Sequence, residues 1–568
     1  MTTSRLTTES RSAALAAMSS EPLDILVIGG GVTGAGIALD AATRGLRTGI
    51  VESADWASGT SSRSSKLVHG GLRYLYNLDF KLVAEALHER GLLLDSIAPH
   101  LVTGQPFLWP LRTRVIERAY SAVGVGLYDA LAYAGARRKT VPFQRHRTKS
   151  GAKSVFPDVR EDSLVGAIEF YDARVDDARL VVTLVRTASR FGALAASRTT
   201  VTGLIKEGGR VAGATVVDNE TGAEHTIRAK HVINATGVWT EETQSLAGDA
   251  GGLRVLASKG IHLIIPRDRI KGSTGMFLRT EKSVLFIIPW PEYWIVGTTD
   301  TAWHEDRRRP VATSADIDYV LDHANEVLTS KLTREDVIAT YAGLRPLLQP
   351  GTMDESKSTK VSREHTVTEA SPGLVVIAGG KLTTYRVMAK DAVDFALGAK
   401  AKELPSITDR TPLIGAEGLT ATRRIAGQIA AKHGWEAKRV DHLIARYGSA
   451  VDEVLATIDA DPSLGTPLAA CDVYLRAEIA YAITHEGALH LSDILRNRVR
   501  LVYETRDRGV DALPEVAEIA AGLLGWNKTT STREQKEYRE AIEAQLAAEQ
   551  TDSDAAAAEA LTQAGVVT

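Results

Sequence analysis

The chain has 568 residues, 44% apolar and 24% charged, enough to bury a large core and too many for one simple domain. Lys and Arg total 67 against 70 Asp and Glu, a formal charge of -3, so no basic excess points to nucleic acid. The single cysteine, Cys471, excludes an internal disulfide, a cysteine-based metal site and an iron–sulfur cluster, so redox chemistry needs an organic cofactor or another ligand set.

No apolar run approaches the roughly 20 residues that cross a bilayer as a helix. Near the start, Ala13 to Met18 is shorter than the roughly 7–15 residues of a secretory apolar region, so residues 1–20 read as a flexible tail on a cytoplasmic chain. The apolar run Leu23–Ile28 then breaks into Gly29-Gly30-Gly31-Val32-Thr33-Gly34, a strand followed by a tight turn and a helix to about Gly45. A second strand, Thr48–Val51, ends at Glu52. This is a βαβ unit with G-x-G-x-x-G at Gly29, Gly31 and Gly34 and an acid about 20 residues on. Gly29 allows the turn, Gly31 lets backbone approach a pyrophosphate, and Gly34 lets the helix pack on the strand. Glu52 can accept hydrogen bonds from an adenosine ribose, and its charge disfavours a 2′-phosphate.

Further strands of the same fold are expected at His231–Ala235, before Thr236-Gly237, and at Leu374–Ala378, before Gly379-Gly380, which makes the nucleotide domain discontinuous. Val284–Pro289 and Trp294–Thr299 suit an antiparallel sheet over a substrate site. After Lys400 the pattern turns helical to about Asn527. The expected architecture is α/β: a discontinuous Rossmann-type cofactor domain, an antiparallel-sheet substrate domain and an α-helical C-terminal domain. Within 21–400 the cofactor segments run about 21–100, 170–245 and 340–400, and the cap segments 101–169 and 246–339. The helical domain covers 401–530, and 531–568 forms a helix and a loose tail.

Thr60 to Leu75, reading TSSRSSKLVHGGLRYL, is the most distinctive string. With it stand Val175–Leu180, Asn234-Ala235-Thr236-Gly237, Gly297-Thr298-Thr299-Asp300, Gly343-Leu344-Arg345-Pro346-Leu347 and Gly379–Arg386. Together these closely resemble the FAD-dependent glycerol-3-phosphate dehydrogenases, in that family's order from about residue 20 to about 530. The resemblance implies FAD as cofactor, sn-glycerol 3-phosphate as substrate, dihydroxyacetone phosphate as product and a membrane quinone as electron acceptor. It also implies peripheral attachment to the cytoplasmic face of the inner membrane.

Such a substrate requires cations for a phosphate dianion and a proton acceptor for the C2 hydroxyl. Arg345, Arg73 and Lys381 offer the cations. Arg345, between Gly343 and Pro346, can grip phosphate bidentately, or else be a surface arginine in an ion pair. Lys381 follows a strand end where ligands collect, and can equally be a solvated lysine. His69, before Gly70-Gly71, and His262 compete as the base, with a structural histidine as the plain alternative. A serine usually precedes the second histidine in the family; here it is Ile261. Tyr74 is an orienting donor or a packed core tyrosine.

Thr60, Ser61, Ser64 and Ser65 suit pyrophosphate and flavin edges without adding charge. The resemblance adds Gly30, Thr33, Lys66, Leu67, Ala235, Thr236, Gly237, Trp239, Gly379, Gly380, Lys381, Leu382 and Thr383 as cofactor contacts. No metal site is expected. Pro106–Gly135 mixes Trp109, Tyr120, Tyr128 and Tyr133 with Leu108, Leu111, Val115, Ile116, Val123, Val125 and Leu127, and with Arg112, Arg114 and Arg118. It reads as an interfacial segment, backed by the basic run from Arg137, Arg138 and Lys139, or as a core helix and a solvated loop. A glycerol-3-phosphate oxidase and a non-catalytic flavin-binding protein stand as rivals. A homodimer stays open, since a core face and an interface face share one periodicity.

Overall fold

The computed structural model describes residues 4–71, 79–113, 125–133, 140–248, 252–279, 284–349 and 365–564. Leu23–Ile28 is buried on both faces except at Asp24, as a central parallel strand must be. It pairs in parallel with Thr48–Val51 on one side and Glu224–Asn234 on the other, Val27 lying opposite both Ile50 and Ile233. Leu374–Gly379 and Leu194–Ala196 extend the parallel sheet outward, and His365–Ser371 closes one edge antiparallel. The cofactor domain is therefore discontinuous, built from three separate stretches of chain.

The helices Val32–Thr43, Asp177–Arg190 and Tyr385–Leu397 cover one face through Ile37, Ala38, Val181, Leu184, Ala389 and Val393. Helix Thr8–Ser20 covers the other, where the sequence reading expects a flexible tail. Thr7 caps that helix, Leu15 and Met18 enter the core beneath the sheet, and Arg11 reaches Ser197 O and Asp218. Leu15 and Met18 are three apart, so they share a helix face and bury together.

Among the described residues the second sheet has ten strands and is largely antiparallel. At its centre Val255–Pro266 runs between Ala339–Leu348 and Tyr293–Gly297, and Val284–Pro289 lies next to the latter. Trp109, Leu108 and Leu111 belong to the strand Val102–Leu111 of this sheet and are buried. Val125 and Tyr128 are buried as well, Tyr128 donating to Asp172 at 2.5 Å. Only Leu127 and Tyr133 of the described apolar residues from 106–135 singled out for an interface are exposed. Arg114, Val115, Ile116, Arg118, Tyr120, Val123, Arg137, Arg138 and Lys139 lie outside the described residues, as do Arg73 and Tyr74.

The C-terminal region is helical apart from the hairpin Pro467–Leu468/Cys471–Leu475. Helix Lys528–Ala548 is followed by a second packed helix, Asp554–Gln563, instead of a loose tail. Ala544, Ala548, Ala557 and Leu561 pack with Val311, and Asp554 pairs with the buried Lys259 of the substrate sheet.

Candidate active site

At the end of the first strand Gly29 has φ +109°, and a Cβ there would lie 2.8 Å from Ala235 O. A Cβ on Gly34 would lie 1.8 Å from Gly29 O, so only glycine lets helix Val32–Thr43 start against the turn. Gly31 precedes its first turn, and Ser61 Oγ accepts from Val32 N at 2.9 Å. Thr33 lies in that same first turn. The helix N-terminus therefore faces a glycine turn edged by the Ser61 hydroxyl, suited to a dinucleotide pyrophosphate. Glu52 directly follows the second strand beside it, accepting from Gly30 N at 2.6 Å and Ala54 N at 2.8 Å. Burial pushes its carboxyl above the ordinary range despite those bonds.

The hydroxyl run divides its labour. Thr60 donates to Leu344 O at 2.6 Å, and Ser64 donates through both N and Oγ to Asp177 at 3.0 and 2.7 Å. Lys66, at φ +58°, pairs with Asp177 and donates to Ser62 O at 2.8 Å. Leu67 then forms a short strand against Arg174. Ser65 also turns toward the substrate sheet, its Oγ 2.8 Å from His262 Nε2.

His262 and Tyr341 are opposite residues on neighbouring strands, their rings stacked at 4.7 Å, and Tyr341 donates to Ser64 O at 3.0 Å. His262 is 2% exposed. Burial, then the charges of Arg345 and Lys66, hold its pKa well below the usual imidazole value, so it is neutral. Ile261 faces the opposite core with Leu263 and Val296, so a hydroxyl at that position would not reach the site.

Arg345 lies opposite Ser258 on the same strand pair. Its guanidinium donates to Thr298 Oγ1 at 3.0 Å and Thr299 O at 3.1 Å and pairs with Asp300 at 3.3 Å. A Cβ on Gly260 would lie 2.3 Å from Arg345 Nη2, so this glycine lets the guanidinium cross the strand. The side chain is 23% exposed.

Gly379 and Gly380, at φ +82° and +78°, turn the end of the Leu374–Gly379 strand toward the same region. Lys381 caps the short turn Leu382–Thr384, and its Nζ is enclosed. Thr383 Oγ1 accepts from His69 N and donates to His69 O, both at 3.0 Å, which ties the Lys381 turn to the His69 loop. Thr236 turns its hydroxyl onto Asn234 Oδ1 at 2.7 Å, and the Trp239 ring would lie 3.0 Å from a Cβ on Gly59. Gly237 has φ +61° and open space at its Cβ position. Tyr341 escapes sequence reasoning, and Asp300 and Asp177 stand in the motifs Gly297–Asp300 and Val175–Leu180 without a site role there. Strand alternation from Arg345 back through Gly343 would have found Tyr341, whereas Asp177 meets its loop only in the fold.

The family profile described as FAD dependent oxidoreductase matches residues 24–394, and that of the C-terminal domain of alpha-glycerophosphate oxidase matches 406–531. Glycerol-3-phosphate dehydrogenase 2 of Mycobacterium tuberculosis is 50% identical over 548 residues, 96% of this chain and 92% of the relative. The mitochondrial glycerol-3-phosphate dehydrogenase of Homo sapiens is 36% identical over 535 residues, 90% of this chain and 72% of the relative. The structure of the Bacillus halodurans glycerol-3-phosphate dehydrogenase complexed with FAD superimposes with a TM-score of 0.76 at 30% identity, covering 95% of this chain and 97% of that one. With the glycine cradle and Glu52 fitting an adenine dinucleotide, the cofactor is FAD, and the chain belongs to the family of FAD-dependent glycerol-3-phosphate dehydrogenases.

Proposed function

We propose that the protein oxidises sn-glycerol 3-phosphate to dihydroxyacetone phosphate and passes the electrons to a membrane quinone. One observation carries this reading: a fixed guanidinium and a neutral, enclosed imidazole flank the Gly297-Thr298 segment, with Arg345 bonded to Thr298 and the His262 ring against Gly297. Phosphate suits the first and a secondary alcohol the second.

FAD, when bound, accepts the hydride lost from C2. Arg345, preset by Asp300 and Thr298, grips the phosphate, and Lys381 adds a second positive charge. Arg73 and Tyr74 belong to the same proposed substrate set by resemblance. Ser65 is half-buried whereas His262 is enclosed, so the hydroxyl proton passes through Ser65 Oγ to His262 Nε2 as C2–O becomes a carbonyl. His69 holds its loop to Thr383 and stands as the alternative base. Thr60, Ser61, Ser64 and Lys66 shape the loop over the cofactor, and Ala235, Thr236, Gly237 and Trp239 line its adenine side. Gly379, Gly380, Leu382 and Thr383 line the flavin side.

A quinone acceptor requires contact with a membrane, and the exposed Tyr133 and Phe143, with ring centroids 6.3 Å apart, support a peripheral one. No described helix is long and apolar enough to cross a bilayer.

Anaerobic addition of glycerol 3-phosphate to the yellow protein tests the reading. Bleaching, with slow recovery in air and fast recovery with a quinone analogue, supports it. Fast recovery in air makes the protein an oxidase, and no bleaching overturns the substrate. In the same assay Arg345→Ala raises KM about 10- to 150-fold with FAD retained, since a charge-assisted hydrogen bond contributes about 1.5–3 kcal/mol.

A further inference from the structure

The loop after Glu52 lies on the phosphate turn. Glu52 accepts from Gly30 N, Ala57 N donates to Gly30 O at 3.0 Å, and Trp56 fills the space a Gly30 side chain would take. Its middle faces the other way. Asp55 receives Arg498 Nη1 at 2.8 Å, Arg498 Nη2 at 2.7 Å and Asn497 Nδ2 at 2.8 Å, all from the C-terminal domain. Asp55 is 3% and Arg498 1% exposed. Arg498 is itself held by Glu486 O, and Glu486 forms a two-pronged pair with Arg179 at the start of helix Asp177–Arg190.

A second tie reaches the same loop. Arg198 N donates to Ala54 O at 2.9 Å, and its guanidinium pairs with Asp493 at 2.5 Å. Asp493, Asn497 and Arg498 all sit on one turn, Asp493–Arg498. A buried ion pair is weak support for net stability, but a bidentate one fixes geometry closely. The turn therefore holds the loop beside Glu52 from two directions while touching no part of the phosphate cradle itself.

We propose that the turn Asp493–Arg498 is a retaining clamp for the cofactor, in which Arg498 and Asn497 on Asp55, and Asp493 through Arg198, hold the loop that presents Glu52 to the adenosine ribose. The clamp rests on the reading of Glu52 as ribose acceptor. It gives the helical domain a task at the cofactor, and linkage makes the effect reciprocal: bound FAD tightens the docking of that domain. Arg498 and Asn497 are positioning residues.

The test measures FAD dissociation constants by flavin fluorescence, with melting temperatures recorded with and without excess FAD, for Arg498→Met, Asn497→Ala and Glu52→Gln. Arg498→Met raises the FAD dissociation constant at least fivefold, and Asn497→Ala raises it less; both lose more melting temperature with FAD than without. An unchanged dissociation constant with equal losses in both forms overturns the clamp, leaving an ordinary domain contact. If Arg498→Met does not fold, Asn497→Ala decides by the same criteria. Glu52→Gln separates the readings: weak FAD binding there with normal binding in the clamp variants overturns the clamp alone. Normal binding in all three overturns both, weak binding in all three supports the clamp, and weak binding in the clamp variants with normal binding in Glu52→Gln overturns Glu52 as ribose acceptor and with it the clamp as proposed.

Discussion

His262 shows how a single side chain is tuned by what surrounds it. With its pKa well below the ordinary value, about 6.5, the ring stays neutral under mildly acid conditions. The acid limb of kcat/KM therefore falls below pH 6.5, and His262→Ala slows flavin reduction by about 10²- to 10⁴-fold. A limb at an ordinary imidazole pKa that vanishes in His69→Ala would shift the base to His69. Stability follows the same sign. The unfolded chain binds this proton more readily, so the contribution of His262 is complete above about pH 6.5 and is lost as pH falls from there. The sequence shows both histidines but not their environments. His69 stands out because glycines follow it, whereas the advantage of His262 comes from Ser65, 197 residues away in sequence.

At the level of elements, the last helices brace the strand that carries His262. Lys259, on that strand, is 1% exposed, pairs with Asp316 and Asp554, and lies 5.4 Å from the Trp303 ring centre. Glu549 adds hydrogen bonds to Thr340 at 2.7 Å and Arg508 at 3.0 Å. Lys259→Met leaves Asp316 buried with Thr313 alone as donor among the described residues, which costs about 3 kcal/mol, the low end for breaking a buried pair. Chemical denaturation should show a lower midpoint, and an unchanged one would mean that the pairs contribute nothing net. The βαβ unit is legible from glycine spacing because its reasons are local. The packed ends are not, because Leu15, Met18 and Asp554 acquire their partners only once distant strands assemble.

Across the whole molecule, charge joins the helical domain to the cofactor domain. His490 lies between Glu534 at 2.9 Å and Glu220 at 3.1 Å, with Asp493 and Arg198 close by. Those carboxylates overcome desolvation and raise its pKa to about 10. A raised pKa contributes fully below about pH 6.5 and is lost as pH climbs toward 10. Between those limits this residue alone lowers stability by up to about 1.4 kcal/mol per pH unit. In His490→Gln the fall in melting temperature from pH 7 to 10 should flatten, and an equal slope would remove the assignment. The sequence distinguishes a helical region from an α/β region, yet their mutual fit depends on Asp55–Arg498 and Glu220–His490, pairs hundreds of residues apart.

The discontinuous parallel sheet also sets a timetable for synthesis. Val27 lies opposite Ile233, and the strand beyond Ile233 arrives only at Leu374. At about 5–20 residues per second, the ribosome takes roughly 20–70 s to deliver the last of these strands after the first has emerged. For roughly the first 10–40 s of that interval, until Glu224–Asn234 arrives, Leu23–Ile28 has an unsatisfied apolar edge, a natural target for a holdase. The glycine turn meanwhile lacks Ala235, against which it closes, so FAD can join only once that strand has arrived.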